Sequence, residues 1–152
     1  MMDRYFEEFE DTAKEELKRA EHLVLISLKY NRTCAVMKNG LIRLIAAYET
    51  AMVEYLIFLK KTGKIEEVPA SVKEKLNLVK SILGNSIGKY IRSYNKLVKV
   101  NKAQYCALNE YRKGLVMKTV GKNAIEVDIK TLEEQLSLAT EFVNFIESKA
   151  RE

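Results

Sequence analysis

Lys89, Arg92, Lys96 and Lys99 recur at spacings of three, four and three residues. On a helix this spacing lines up four cations along one face, with Lys102 just beyond them. A spaced cationic row suits the phosphates of a polyanion. Tyr90 and Tyr94, on the neighbouring face, offer rings on which bases can stack. The same pattern also suits a solvated helix face whose tyrosines are buried by their rings. Arg112 is a further phosphate-binding candidate. Glu49 lies among Ile45, Met52, Val53 and Leu56, where a buried carboxylate needs a partner. That partner is expected to be a cationic or hydrogen-bonding group from another helix, with Arg112 the chosen candidate because it too interrupts an apolar stripe. His22 is the only imidazole; no Cys or acid pair is arranged around it as metal ligands, so it reads as a surface or boundary residue.

The residues exclude several chemistries. One His rules out a His–His metal motif and any catalysis that needs two imidazoles. Two Cys cannot build a disulfide framework or a four-thiolate zinc site. No GxGxxG, GxxxxGK[ST] or GxSxG occurs. No metal or cofactor is expected. Cys34 and Cys106 read as reduced, small buried hydrophobes. Tyr5, Tyr30, Tyr48, Tyr55, Tyr105 and Tyr111 sit at helical core spacings and read as packing residues.

The chain has 152 residues, 47% of them hydrophobic, which suits a single domain over residues 1–152 with one core. Glu and Lys dominate the charged residues and there is one Pro, a composition of long helices that also fits a thermophilic source. The net charge of +5 is unevenly spread: residues 1–21 carry −4, residues 22–122 carry +13 and residues 123–152 carry −4. Either the acidic ends pack beside the basic middle and neutralise it, or a polyanion-binding surface is left exposed. The first 21 residues are dense in charge, unlike a signal peptide. The most apolar stretch, Leu44 to Leu59, contains Glu49 and Glu54 and is too short to span a bilayer. A cytoplasmic protein without a membrane role is expected.

The elements follow from period and capping. A first helix is expected from about Asp3 to Tyr30, with Phe6, Phe9, Ala13, Leu17, Ala20 and Val24 inward. A second runs from Thr33 to Thr62 and is apolar nearly all round, apart from a strip of Arg43, Ala47, Thr50, Glu54 and Lys61. Such a helix is central to a bundle or lies in a subunit interface. A short helix over Ser71–Leu83 ends at Gly84. From Ser86 to about Val116 the pattern is again helical, in one piece or two with Asn101 as the break; its stripe runs through Ile87, Tyr90, Tyr94, Leu97, Asn101, Tyr105, Leu108, Arg112 and Leu115. A small hairpin of Val116–Val120 with Ile125–Val127 precedes the last helix, which Asp128 caps and which buries Leu132, Leu136, Ala139, Val143 and Ile146. The fold class is all-α: an up-and-down bundle of four to five helices with a small β-hairpin before the last.

Residues 111–117 (Tyr-Arg-Lys-Gly-Leu-Val-Met), the turn after them, and Ile125-Glu126-Val127-Asp128 leading into the last helix resemble the HEPN superfamily of helical-bundle domains. The likeness covers about 40 residues of the chain. It implies an Arg near the end of a long helix, followed four to six residues on by a His, and a closing amphipathic helix. Arg112 stands for the motif Arg, but Met117, Lys118 and Thr119 occupy the positions open to the His. The resemblance therefore implies a degenerate catalytic motif, a homodimer, and RNA or a nucleotidyltransferase-type protein as partner. The expected function is a non-catalytic HEPN-like domain that binds RNA or a partner protein. The alternatives are a structural or protein-interaction bundle with no nucleic-acid role, and a weak metal-independent ribonuclease using Arg112 and a base other than His.

Overall fold

The structure, a computed structural model, describes residues 12–151. The expected helix start at Asp3, with Tyr5, Phe6 and Phe9, lies outside the described residues. Thr12 caps α1 (Ala13–Glu21), its hydroxyl accepting the Glu15 N–H at 3.2 Å. α1 runs into a π-helical segment, His22–Ser27, and a final α turn, Leu28–Tyr30. Ala13, Leu17, Ala20, Val24 and Leu28 point into the core.

Thr33 caps α2 (Cys34–Lys61) through the Val36 N–H. The chain leaves this helix through Gly63 at φ 80°, a conformation that favours glycine. Ser71 caps α3 (Val72–Leu83), which ends at Gly84. A 3₁₀ turn, Gly84–Ile87, leads into α4 (Gly88–Lys102), and α5 (Ile129–Ala150) closes the chain. α2 is the centre of the fold and packs against α1, α3, α4 and α5. Its apolar circumference is therefore largely covered within one chain, with Ile42 left exposed.

The polar strip of α2 faces α1. Arg43 reaches the buried Glu16 carboxylate at 3.2 Å, and Glu54 accepts the Ala13 N–H at 2.7 Å. Burial raises the Glu54 carboxyl above its ordinary range, against the lowering effect of that N–H. Gly40 brings α1's continuation close to α2: a Cβ there would lie 3.2 Å from Val24 Cγ2. Contacts run in opposite senses along neighbouring helices, Ala13 with Glu54 and Val24 beside Gly40, Tyr48 with Ser93 and Lys38 with Asn101.

The long helical stretch expected to reach Val116 stops at Lys102. From Ala103 the backbone is extended, and Tyr105–Leu108 forms β1. β1 pairs antiparallel with β2 (Val116–Thr119), and β2 with β3 (Glu126–Asp128). The hairpin of β2 and β3 is the expected one; β1 is an additional strand that the helical reading missed. Three contacts from the start of α2 and the residues before it explain the switch. Lys38 Nζ donates to the Asn101 carbonyl at 2.6 Å, Glu110 accepts the Cys34 N–H at 3.2 Å, and Tyr111 N–H donates to the Arg32 carbonyl at 2.7 Å. Asn109 and Tyr111 take positive φ (58° and 67°), which no helix accommodates. Such tertiary bonds outweigh a helix preference of a few tenths of a kcal/mol per residue, about the size of intrinsic propensities.

Leu115, Met117 and Val127 turn toward the helices and join the core. Asp128 caps α5 as expected: its Oδ1 accepts both the N–H and the hydroxyl of Thr131 at 2.7 Å. These bonds hold the Asp128 carboxyl below its ordinary range. All five residues of the expected α5 stripe are buried.

Candidate nucleic-acid interface

α4 begins at Gly88, so the cationic row lies along nearly its full length. Lys89, Arg92, Lys96 and Lys99 are all exposed, as is Lys102. The opposite face, Tyr90, Ile91, Tyr94, Leu97 and Val100, is buried against the bundle. Hydrophobic burial of that face fixes where the cations point. Lys89 pairs with Glu141 of α5 at 3.6 Å, with both side chains about half exposed (55% and 53%). A surface pair of this kind contributes little and yields readily to a phosphate. Among the described residues Arg92, Lys96 and Lys99 have no acidic partner.

The tyrosines do not face outward with the cations. Tyr90 packs on Phe142 and Phe145, and Tyr94 packs on Tyr48. Base stacking on Tyr90 and Tyr94 is thus excluded by their burial, and the row can offer phosphate contacts alone. Tyr48 and Tyr55 are core residues as expected, whereas Tyr30 (87% exposed), Tyr111 (77%) and Tyr105 (38%) are not. Tyr105 and Tyr111 left the core because the helix carrying their stripe ends before them, while Tyr30 ends the helical turn that precedes Asn31. Cys34 is buried and donates to the Val116 carbonyl, and burial raises its thiol above the usual range. Cys106 is exposed on β1, not buried.

Glu49 does have a partner from another helix, and it is neutral. Tyr94 Oη donates to Glu49 Oε2 at 2.6 Å. Burial and that carboxylate raise the Tyr94 hydroxyl well above its usual range. Arg112, the expected partner, is exposed in the turn between β1 and β2, ten residues past the end of α4 at Lys102. The correction has a physical cause: once α4 ends at Lys102, Arg112 no longer shares the stripe that would have carried it inward. A second buried polar set lies nearby. Tyr48 Oη donates to Ser93 Oγ at 3.4 Å, and Ser93 in turn donates to Gln135 of α5.

His22 is exposed, as expected of a boundary residue, but it has company that the sequence did not single out. With Lys18, Arg19, Leu23, Asn39, Ile42 and Arg43 it lines a cleft of about 580 Å³ between α1 and α2. Lys18 and His22, and Asn39 and Arg43, are each four residues apart, so each pair shares a helix face. That spacing was the available signal; the meeting of the two faces was not readable.

Among the described residues no group of three or more His, Cys, Asp or Glu is placed to hold a metal ion. No described helix is long and apolar enough to cross a membrane. No protein-family model, curated protein or solved structure matches the chain.

Proposed function

We propose that this helical domain binds RNA through the outer face of α4 and does not cleave it. The observation that carries this reading is the exposure of Lys89, Arg92, Lys96 and Lys99 on successive turns of one helix, with three of them unpaired among the described residues. With the tyrosines buried, recognition is by phosphate and indifferent to base. The HEPN likeness supports the binding half of the proposal. For catalysis it offers less: Arg112 stands in a turn between strands, and Met117 and Thr119 are buried on β2 with no imidazole beside them in sequence.

The test is fluorescence anisotropy of labelled single-stranded RNA at several salt concentrations. Three or four phosphate contacts give a slope of log affinity on log salt of about −2 to −3. Lys89→Glu, Arg92→Glu and Lys96→Glu together should abolish binding. Unchanged binding in that variant, or none in the parent at low salt, refutes the proposal.

A second reading, a protein-interaction role, has one observation in its favour. β1 is an edge strand whose four residues, Tyr105, Cys106, Ala107 and Leu108, are all exposed. An open strand edge pairs readily with another strand. A second copy of the chain, or a nucleotidyltransferase-type protein, would fit there. Sedimentation equilibrium showing only a 17.5 kDa species at micromolar concentration would remove the homodimer.

A further inference from the structure

The cleft between α1 and α2 is lined by three cations, Lys18, Arg19 and Arg43, two further polar side chains, His22 and Asn39, and two apolar ones, Leu23 and Ile42. Among the described residues no carboxylate lines it. We propose that it is a binding site for a small organic phosphate, a phosphomonoester whose phosphate sits on the cations and whose body lies on Leu23 and Ile42. This site is separate from the α4 face and does not depend on it.

Glu16 is what makes the cleft a built site. It is 6% exposed, and a carboxylate so buried is unfavourable without partners. It accepts from Arg43 Nη1 at 3.4 Å and 3.2 Å through its two oxygens, and Arg19 Nη1 lies 3.7 Å away. One carboxylate thus orients two guanidinium groups from two helices. It does not use up the capacity of Arg43: a guanidinium carries five N–H donors, and Arg43 meets Glu16 through Nη1 alone. The Arg43 and Arg19 side chains remain 41% and 48% exposed.

Two features favour an organic phosphate over a bare ion. A volume of about 580 Å³ lies within the range of small-molecule sites. Ile42 stays 42% exposed at the wall, an apolar surface that a ligand body would cover. The π-helical segment begins at His22, and π turns recur at functional sites. It also brings Leu23 and Val24 close to Gly40.

The experiment is an amide NMR titration of the full chain with inorganic phosphate, adenosine 5′-phosphate and adenosine. Adenosine 5′-phosphate should shift the amides of residues 18–23 and 39–43 and bind more tightly than inorganic phosphate, which should shift the same amides. Adenosine should shift none of them. Lys18→Ala and His22→Ala alter exposed side chains and should each weaken the phosphomonoester by about tenfold while leaving melting unchanged. Arg43→Gln risks unfolding because it strands Glu16, so it is made together with Glu16→Gln, and the pair should abolish binding in a folded protein. The α4 triple reversal should leave all three titrations unaltered, which separates this site from RNA binding. The proposal is overturned by shifts confined to other residues, by adenosine binding as well as its phosphate, by equal affinity for inorganic phosphate and the monoester, or by unchanged affinity in the Lys18→Ala/His22→Ala double variant.

Discussion

Tyr94→Phe removes one oxygen from a side chain that is 4% exposed and leaves its ring packed on Tyr48. What is lost is the 2.6 Å bond to Glu49. A hydrogen bond to an ionised partner contributes about 1.5–3 kcal/mol when both groups are shielded. Glu49 is only half-buried; it borders a shallow cleft of about 190 Å³ with Thr50, Met52, Val53, Val72 and Lys75, where water can replace the hydroxyl. The expected loss is therefore at the lower end, about 1–1.5 kcal/mol. For a chain of this size that is about 2–6 °C in Tm. Glu49→Ala removes the other partner, and the double variant completes a cycle. Urea unfolding of the four proteins, followed by circular dichroism, should give a coupling of about 1 kcal/mol. Coupling within about 0.5 kcal/mol of zero would mean that water serves both groups equally well, and that Glu49 sits among apolar residues without needing α4.

Stability should fall as pH rises past the ordinary tyrosine range. Burial pushes the Tyr48 hydroxyl up to about 12 and raises Tyr94 as well, so the folded state holds protons that the unfolded chain releases from about pH 10. Tyr48→Phe should flatten that decline between pH 10 and 12; an equal slope in parent and variant would refute the assignment. Tyr111→Gly relieves a left-handed residue at φ 67° whose side chain is 77% exposed, and should be neutral or stabilise by up to about 1 kcal/mol in thermal melts, whereas a clear loss would show that the ring packs on something. Labelled single-stranded RNA should stay intact with the protein in EDTA, because proton transfer worth about 100- to 10,000-fold has no imidazole pair to perform it. Cleavage that disappears in Arg112→Ala would overturn that expectation.

The element boundaries that the sequence disclosed are those set by local chemistry. Thr33, Ser71 and Asp128 each cap through a side-chain oxygen and an N–H three residues on. Gly63 and Gly84 end their helices at positive φ. Both partners of such a contact lie within one turn, so composition and spacing suffice. β1 was illegible for the opposite reason. Tyr105 and Leu108 continue the helical stripe of Tyr94 and Leu97, and nothing between Lys102 and Tyr105 is a Pro or Gly. The bonds that decide the conformation span 63 residues from Lys38 to Asn101 and 76 from Cys34 to Glu110. A pattern read along the chain carries no trace of them.

The same division separates the two candidate sites. The α4 row was visible because one helix carries it. The cleft of His22 needs α1 with its π continuation to meet α2 face to face, and helical periodicity does not reveal the π segment. The partner of Glu49 was missed for a subtler reason. A hydrogen-bonding group from another helix was expected and Tyr94 is one, but its ring marks it as a packing residue, and nothing in the spacing says that its hydroxyl rather than Arg112 reaches the carboxylate. Segment charge misleads in a similar way. The acidic ends do reach the basic middle, Glu16 at Arg43 and Glu141 at Lys89, but each does so at one contact distance. Beyond about 10 Å salt screens such attraction. A net −4 at either end therefore says nothing about which cations are covered, and Arg92, Lys96 and Lys99 stay open on α4 because no acid of a neighbouring described helix lies within reach of them.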